Sequence, residues 1–209
     1  GLLDLFTELD IVAASSRRGG LRVLQEATLK NPHPDIRQTA AKTAYASYWA
    51  ELVNDWMEDG TENPELFLLL RHVLDALDGN AQPAAGLSIL FQMRLLRISG
   101  HRPHLGCCVV CRCDIENILA EMLPVEIARG GVACPGCLPP DAGAQRISKG
   151  TVKQLLWAAG GDLARASRIR FTPQALREGE VFLERFVPYH LGRQPRSLRV
   201  LRQLRGDEG

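Results

Sequence analysis

The chain has 209 residues, 45% hydrophobic and 23% charged, with a formal net charge of +1. That length can bury a sizeable core in one or two domains, and the composition is that of an ordinary globular chain. No apolar run approaches the roughly 20 residues a bilayer-spanning helix needs, and the start lacks a secretion signal's basic and apolar regions, so a membrane protein is excluded. The sequence opens Gly1-Leu2-Leu3 without a methionine, as expected of a piece of something longer.

The first 30 residues mix short apolar runs (Leu2, Leu3, Leu5, Phe6, Leu9, Ile11, Val12) with Asp4, Thr7 and Asp10, and reach a turn at Ser15-Ser16-Arg17-Arg18-Gly19-Gly20. This pattern predicts one or two short strands, with residues 2 to 12 extended and packed against the helices C-terminal to them, because two strands make no stable domain alone. From Pro34 a helical period takes over: Ile36, Ala40, Ala44, Tyr48, Leu52 and Trp56 predict one long helix that stops near Gly60. Asn63 as cap and Pro64 at the first helical position open a second, with Leu66, Phe67, Leu70, Val73, Leu74 and Leu77 on its inner face. A third runs from Pro83 to Ile98. After a cysteine-rich insertion, Ser148 caps a helix carrying Val152, Leu155, Leu156 and Ala159. Thr172-Pro173 starts another, which Pro188 should kink or end before Gly192. A last short helix spans Pro195 to Arg205. The expected fold is mainly α, a helical bundle interrupted by a small module.

All six cysteines lie between Cys107 and Cys137. Cys108/Cys111 and Cys134/Cys137 form two C-x-x-C pairs, each a tight turn that aims two thiolates at one ion. Together they predict a tetrahedral Zn²⁺ site of four soft ligands. Disulfides are disfavoured because no secretion signal is present, and a redox dithiol would have a single pair between a strand and a helix. Cys107 could replace Cys108, and His101 or His104 could serve as alternative ligands. With four protein ligands no position is open for catalysis, so the ion reads as structural. The carboxylates Glu58, Asp59 and Glu62 read as a solvated helix end, and no nucleophile elbow, HExxH pattern or phosphate loop is present.

Charge is unevenly divided. Residues 1–100 hold 9 Lys and Arg against 13 Asp and Glu, while residues 101–209 hold 16 against 11. Arg193, Arg196, Arg199, Arg202 and Arg205 recur every three residues, which on a helix makes a slanted basic ridge. Two readings stand: a solvated helix face, or contacts to nucleic-acid phosphates from Arg193, Arg196, Arg199 and Arg202.

Several segments resemble the bacterial recombination mediator family RecO. Leu105-Gly106-Cys107-Cys108-Val109-Val110-Cys111 with Gly130-Gly131-Val132-Ala133-Cys134-Pro135-Gly136-Cys137 is similar to its zinc module. Tyr189-His190-Leu191-Gly192-Arg193 is similar to its closing motif, and Ala44-Tyr45-Ala46-Ser47-Tyr48 and Asn63-Pro64-Glu65-Leu66-Phe67 to its helical domain. The resemblance implies a remnant of an N-terminal OB-fold over residues 1–30, a helical domain over 31–104 and 141–209, and a zinc module over 105–140. Most of the barrel is absent from the sequence. It further implies a non-enzymatic cytoplasmic DNA-repair protein that binds and anneals single- and double-stranded DNA. Such a protein works with RecR and single-strand DNA-binding protein to load RecA. A thiol-redox or zinc-ribbon enzyme subunit, and a helical scaffold without nucleic-acid binding, are the competing expectations.

Overall fold

Alternating apolar and polar residues near the start form an antiparallel hairpin, β1 (Glu8–Ala14) against β2 (Val23–Asn31). The computed structural model describes residues 3–14, 22–57, 60–139 and 145–206. The turn expected at Ser15 to Gly20 lies outside them, as do Glu58 and Asp59. Residues 3 to 7 form turns instead of extended chain, and Phe6 adopts a φ of 62°. The expected packing holds only at the hairpin's base. There the buried His33 contacts the Phe6 carbonyl (2.6 Å) and Asp75 (2.7 Å). Further out, Ile11, Val12, Val23 and Leu24 are exposed, because a two-stranded ribbon cannot cover both of its own faces.

The single helix expected from Pro34 is two: α1 (Pro34–Gln38) and α2 (Ala40–Trp56). The break is Thr39, whose extended backbone (φ −123°, ψ 119°) turns the chain. The Thr43 hydroxyl ties the corner by donating to the Ile36 carbonyl (2.8 Å). Asn63 caps α3 (Pro64–Asp78), its side chain accepting from the Leu66 amide at 3.0 Å. The inner face of α3 differs by one residue from expectation, since Leu69 is buried and Phe67 is 55% exposed.

Helix α4 (Ala84–Ile98) is the centre of the molecule. Every residue from Gly86 to Leu96 is buried, so α4 lacks the polar face of an ordinary surface helix. It packs against α3 and, across the cysteine-rich insertion, against α5 (Lys149–Ala159) and α7 (Pro173–Leu191). Gly179 on α7 allows this approach, since a Cβ there would lie 3.0 Å from Ile89 Cδ1. The buried polar side chains of α4 are paired: Tyr48 donates to Gln92 (3.0 Å) and the Trp49 indole to Ser88 (3.2 Å). Arg94, 4% exposed, donates to the carbonyls of Ala158 (3.1 Å), Gly160 (2.6 Å), Gly161 (3.1 Å) and Asp162 (3.1 Å). A guanidinium thus meets the negative end of α5 and satisfies carbonyls that helix termination leaves free.

The insertion between α4 and α5 carries a small antiparallel sheet that the sequence pattern did not signal. Its order is β4 (Gly131–Val132), β3 (Met122–Glu126), β5 (Arg146–Ser148). Ser148 then caps α5, and a short α6 (Leu163–Ala166) leads to Thr172, the cap of α7. Helix α7 does not end at Pro188 but continues through it to Leu191, where Gly192 closes it. Proline removes the amide that would bond the Glu184 carbonyl, and Arg202 donates to that carbonyl instead, at 3.5 Å.

Helix α8 (Arg196–Arg205) packs along α2 with Leu198 and Leu201 buried. Pro195 stands at its cap position and offers no side-chain acceptor. Glu51 of α2 substitutes, accepting from the amides of Arg196 (2.9 Å) and Ser197 (2.8 Å) and from the Ser197 hydroxyl.

Arg94→Met should lower stability by about 2 to 3 kcal/mol, the cost of unpaired carbonyls formerly bonded to a charged donor. The readout is a urea midpoint shifted down at unchanged slope. Burial alone would raise the Glu51 pKa, yet the Ser197 hydroxyl and the amides of Ser197 and Arg196 hold it below the usual carboxylate value. A lowered folded pKa stabilises fully above the unfolded value near about 4.3, and that contribution is lost as pH falls through the folded value. Glu51→Gln should therefore be less stable than wild type at neutral pH, with the gap closing on acidification. A gap independent of pH would contradict this role.

Candidate metal centre and nucleic-acid interface

Cys108, Cys111, Cys134 and Cys137 converge, their four sulfurs all within 4.8 Å of one another. The first pair sits on a turn closed by the Arg112 amide donating to the Cys108 carbonyl (3.0 Å), with Arg112 itself at φ +65°. The second sits on a single 3₁₀ turn, Pro135–Cys137, after β4. Backbone bonds join the turns: Val109 N to Val132 O (2.9 Å) and His104 N to Gly130 O (2.8 Å). Glycine is obligatory at Gly131, where a Cβ would lie 2.1 Å from the His104 carbonyl oxygen.

The donor set fits a tetrahedral ion. Metal–sulfur bonds of about 2.3 Å place sulfurs about 3.8 Å apart, and Cys111 and Cys134 Sγ are 3.6 Å apart. Burial pushes the Cys108 thiol up, but the amides of Cys111, Cys134 and Val110 outweigh it and hold its pKa down to about 6. Burial and the neighbouring sulfurs push Cys134 up, and the same sulfurs push up Cys137. Four sulfurs this close cannot all ionise unless a cation neutralises them, which a divalent ion does.

Cys108 is fully buried and belongs to the cluster, whereas Cys107 pairs through its backbone with Asp114 outside it. The two histidines also lie outside the cluster. His104 contributes backbone bonds, and the His101 ring lies near Trp56 and His190.

The arginines divide. Arg193, just past α7, forms an ion pair with Asp55 of α2. Glu184 is taken by Arg202 (2.7 Å) and Arg205, which also reaches Glu180 at 2.7 Å. Burial raises the Glu180 pKa even though Arg205 opposes it. Arg196 and Arg199 are exposed, and their side chains have no ion-pair partner among the described residues. Sequence reasoning missed Glu51 and Glu180 as groups that fix α8, and Asp55 as the partner of Arg193 before it. Glu51 and Asp55 are four apart, hence on one side of α2, which was the available signal.

The sequence of the chain has counterparts among known proteins. Residues 37–199 match the family model described as "Recombination protein O C terminal". The chain is 41% identical over 210 residues to "DNA repair protein RecO" of Desulfosudis oleivorans, covering 98% of this chain and 81% of the relative. It is 40% identical over 206 residues to the protein of the same name from Desulfatibacillum aliphaticivorans (98% and 80%). The likeness to that of Geobacter sulfurreducens is 33% (98% and 79%). No helix of the described residues is long and apolar enough to cross a membrane. The chain belongs to the RecO family of DNA repair proteins.

Proposed function

We propose that the chain is a non-enzymatic recombination mediator. It binds single- and double-stranded DNA, anneals complementary strands, and works in the cytoplasm, at the nucleoid, with RecR and single-strand DNA-binding protein to load RecA. The observation that carries this reading is the similarity, across nearly the whole chain, to proteins named for DNA repair. In this reading the β1–β2 hairpin belongs to the remnant of an N-terminal OB-fold over residues 1–30. Residues 31–104 and 141–209 form the helical domain around a zinc module at 105–140.

Cys108, Cys111, Cys134 and Cys137 hold one Zn²⁺, which supplies a cross-link between the two turns. With four protein donors around it, the ion has a structural and not a catalytic role. Arg193, Arg196, Arg199 and Arg202 meet DNA phosphates. Arg196 and Arg199 do so directly, being exposed, while Arg193 and Arg202 exchange Asp55 and Glu184 for phosphate.

Metal analysis of the purified chain should find one zinc per chain. Cys134→Ser should release it and disorder the module, while far-ultraviolet circular dichroism still shows the helices, whose core is independent of the sulfurs. Thiol turnover without bound metal would favour a redox protein instead.

Replacing Arg196 and Arg199 together by Gln should weaken oligonucleotide binding and lower the slope of log affinity against log salt by about 1.4 to 1.8, two phosphate contacts' worth. Unchanged affinity and slope would leave α8 as a solvated face, and failure of the wild type to bind DNA would favour the helical-scaffold reading.

A further inference from the structure

The side of the molecule formed by α5, α6 and the segment leading to α7 carries an aromatic and basic surface that the α8 ridge does not include. Trp157 falls off the inward stripe of α5, since Val152, Leu155, Ala158 and Ala159 are buried while Trp157 is 47% exposed. The Arg165 guanidinium stands over its ring, 5.0 Å from the centroid. The indole stands between two clefts. One, of about 450 Å³, is lined by Lys153, Leu156, Gly160 and Arg165. The other, of about 340 Å³, is lined by Lys153, Gln154, Arg168 and Ile169. Arg168 also lines a third cleft, of about 650 Å³, with Arg71, His72, Asp75 and Arg170. The clefts therefore adjoin one another through shared side chains.

The charge along them is lopsided. Arg165, Arg168 and Arg170 have no ion-pair partner among the described residues, while Lys153 has an exposed one in Glu116 (3.0 Å) and Arg71 a half-buried one in Glu8 (3.4 Å). A pair as exposed as Lys153 and Glu116 is weak and yields readily to a stronger anion. The one carboxylate lining the three clefts, Asp75, is already engaged by His33 and Asn31. Within the third cleft His72 Nε2 is buried without a hydrogen-bond partner.

We infer that this track binds single-stranded nucleic acid, an unpaired base stacking on Trp157 while Arg165, Arg168 and Arg170 hold the flanking phosphates. The chemistry favours this ligand. An exposed indole bordered by cations is the combination that sequence-tolerant single-strand binding uses. Bases of a duplex are stacked on one another and cannot present a face to the ring. The inference rests on the proposed DNA binding but assigns the single-strand contact to different residues.

The test is anisotropy of a fluorophore-labelled oligothymidylate with the purified chain, alongside tryptophan emission. Trp157→Ala should weaken binding about 5- to 100-fold, the loss expected for one stacked base. Trp157→Phe should restore most of the affinity and abolish the quenching of emission, because Trp49 is fully buried and Trp56 half-buried. Arg168→Gln and Arg170→Gln should each lower the salt slope by about 0.7, and a duplex of equal length should lose less than the single strand. Wild-type affinity in Trp157→Ala would overturn the inference, as would quenching by an acidic peptide and not by the oligonucleotide. If the chain binds no DNA at all, the proposed mediator function falls with it. If loss of binding tracks Arg196 and Arg199 but not Trp157, this inference alone falls.

Discussion

Arg94 is the constraint on which the arrangement turns. A guanidinium inside a helix buried on all sides would cost several kcal/mol if left unpaired. The Ala158, Gly160, Gly161 and Asp162 carbonyls must therefore stay where they are. That requirement fixes the end of α5 against α4 and, with it, the turn into α6. Because α5 begins where β5 ends, and β5 pairs with β3, the same anchor sets how the cysteine module leaves the bundle. One buried charge thus couples the core to both surface features of interest.

How much could be read in advance depends on how local the cause is. Asn63, Ser148 and Thr172 were legible as caps because a capping side chain acts within three residues of itself. The cysteine pairs were legible because an ion imposes spacing on its ligands. Thr39 was not: threonine is no strong helix breaker, and the corner is held by tertiary packing around Ile36. Leu69 and Phe67 exchanged places because both lie near the edge of the apolar arc, where a small rotation of α3 decides burial. The role of Arg94 was hidden since its partners come more than 60 residues later. Trp157 was excluded by the helical period from the inner stripe, so its exposure was legible in principle.

Formal charge proved a poor guide to surface charge. The arginine-rich end of the chain looks uncompensated in linear sequence, yet Arg193, Arg202 and Arg205 neutralise Asp55, Glu180 and Glu184 on α2 and α7. Arg202 and Arg205 serve packing: they hold Glu180 and Glu184 between helices, and Arg202 replaces the bond that Pro188 removes, while Arg193 stays exposed over Asp55. The arginines left facing outward are therefore fewer than the repeat suggests. The exposed arginines that have no ion-pair partner among the described residues and are assigned to phosphate contact lie on separate elements, Arg196 and Arg199 on α8, and Arg165, Arg168 and Arg170 on and after α6.

The docking of α8 on α2 has a kinetic meaning. Glu51 reaches amides 145 and 146 residues away, so this contact closes nearly the longest loop in the chain. Such contacts form late, since loop-closure entropy opposes them until the intervening segments are in place. During synthesis α2 emerges long before α8, and the apolar side that later receives Leu198 and Leu201 stays uncovered meanwhile. The nascent chain is thus exposed to misassociation until α8 is released, and loss of α8 would leave the same surface permanently open.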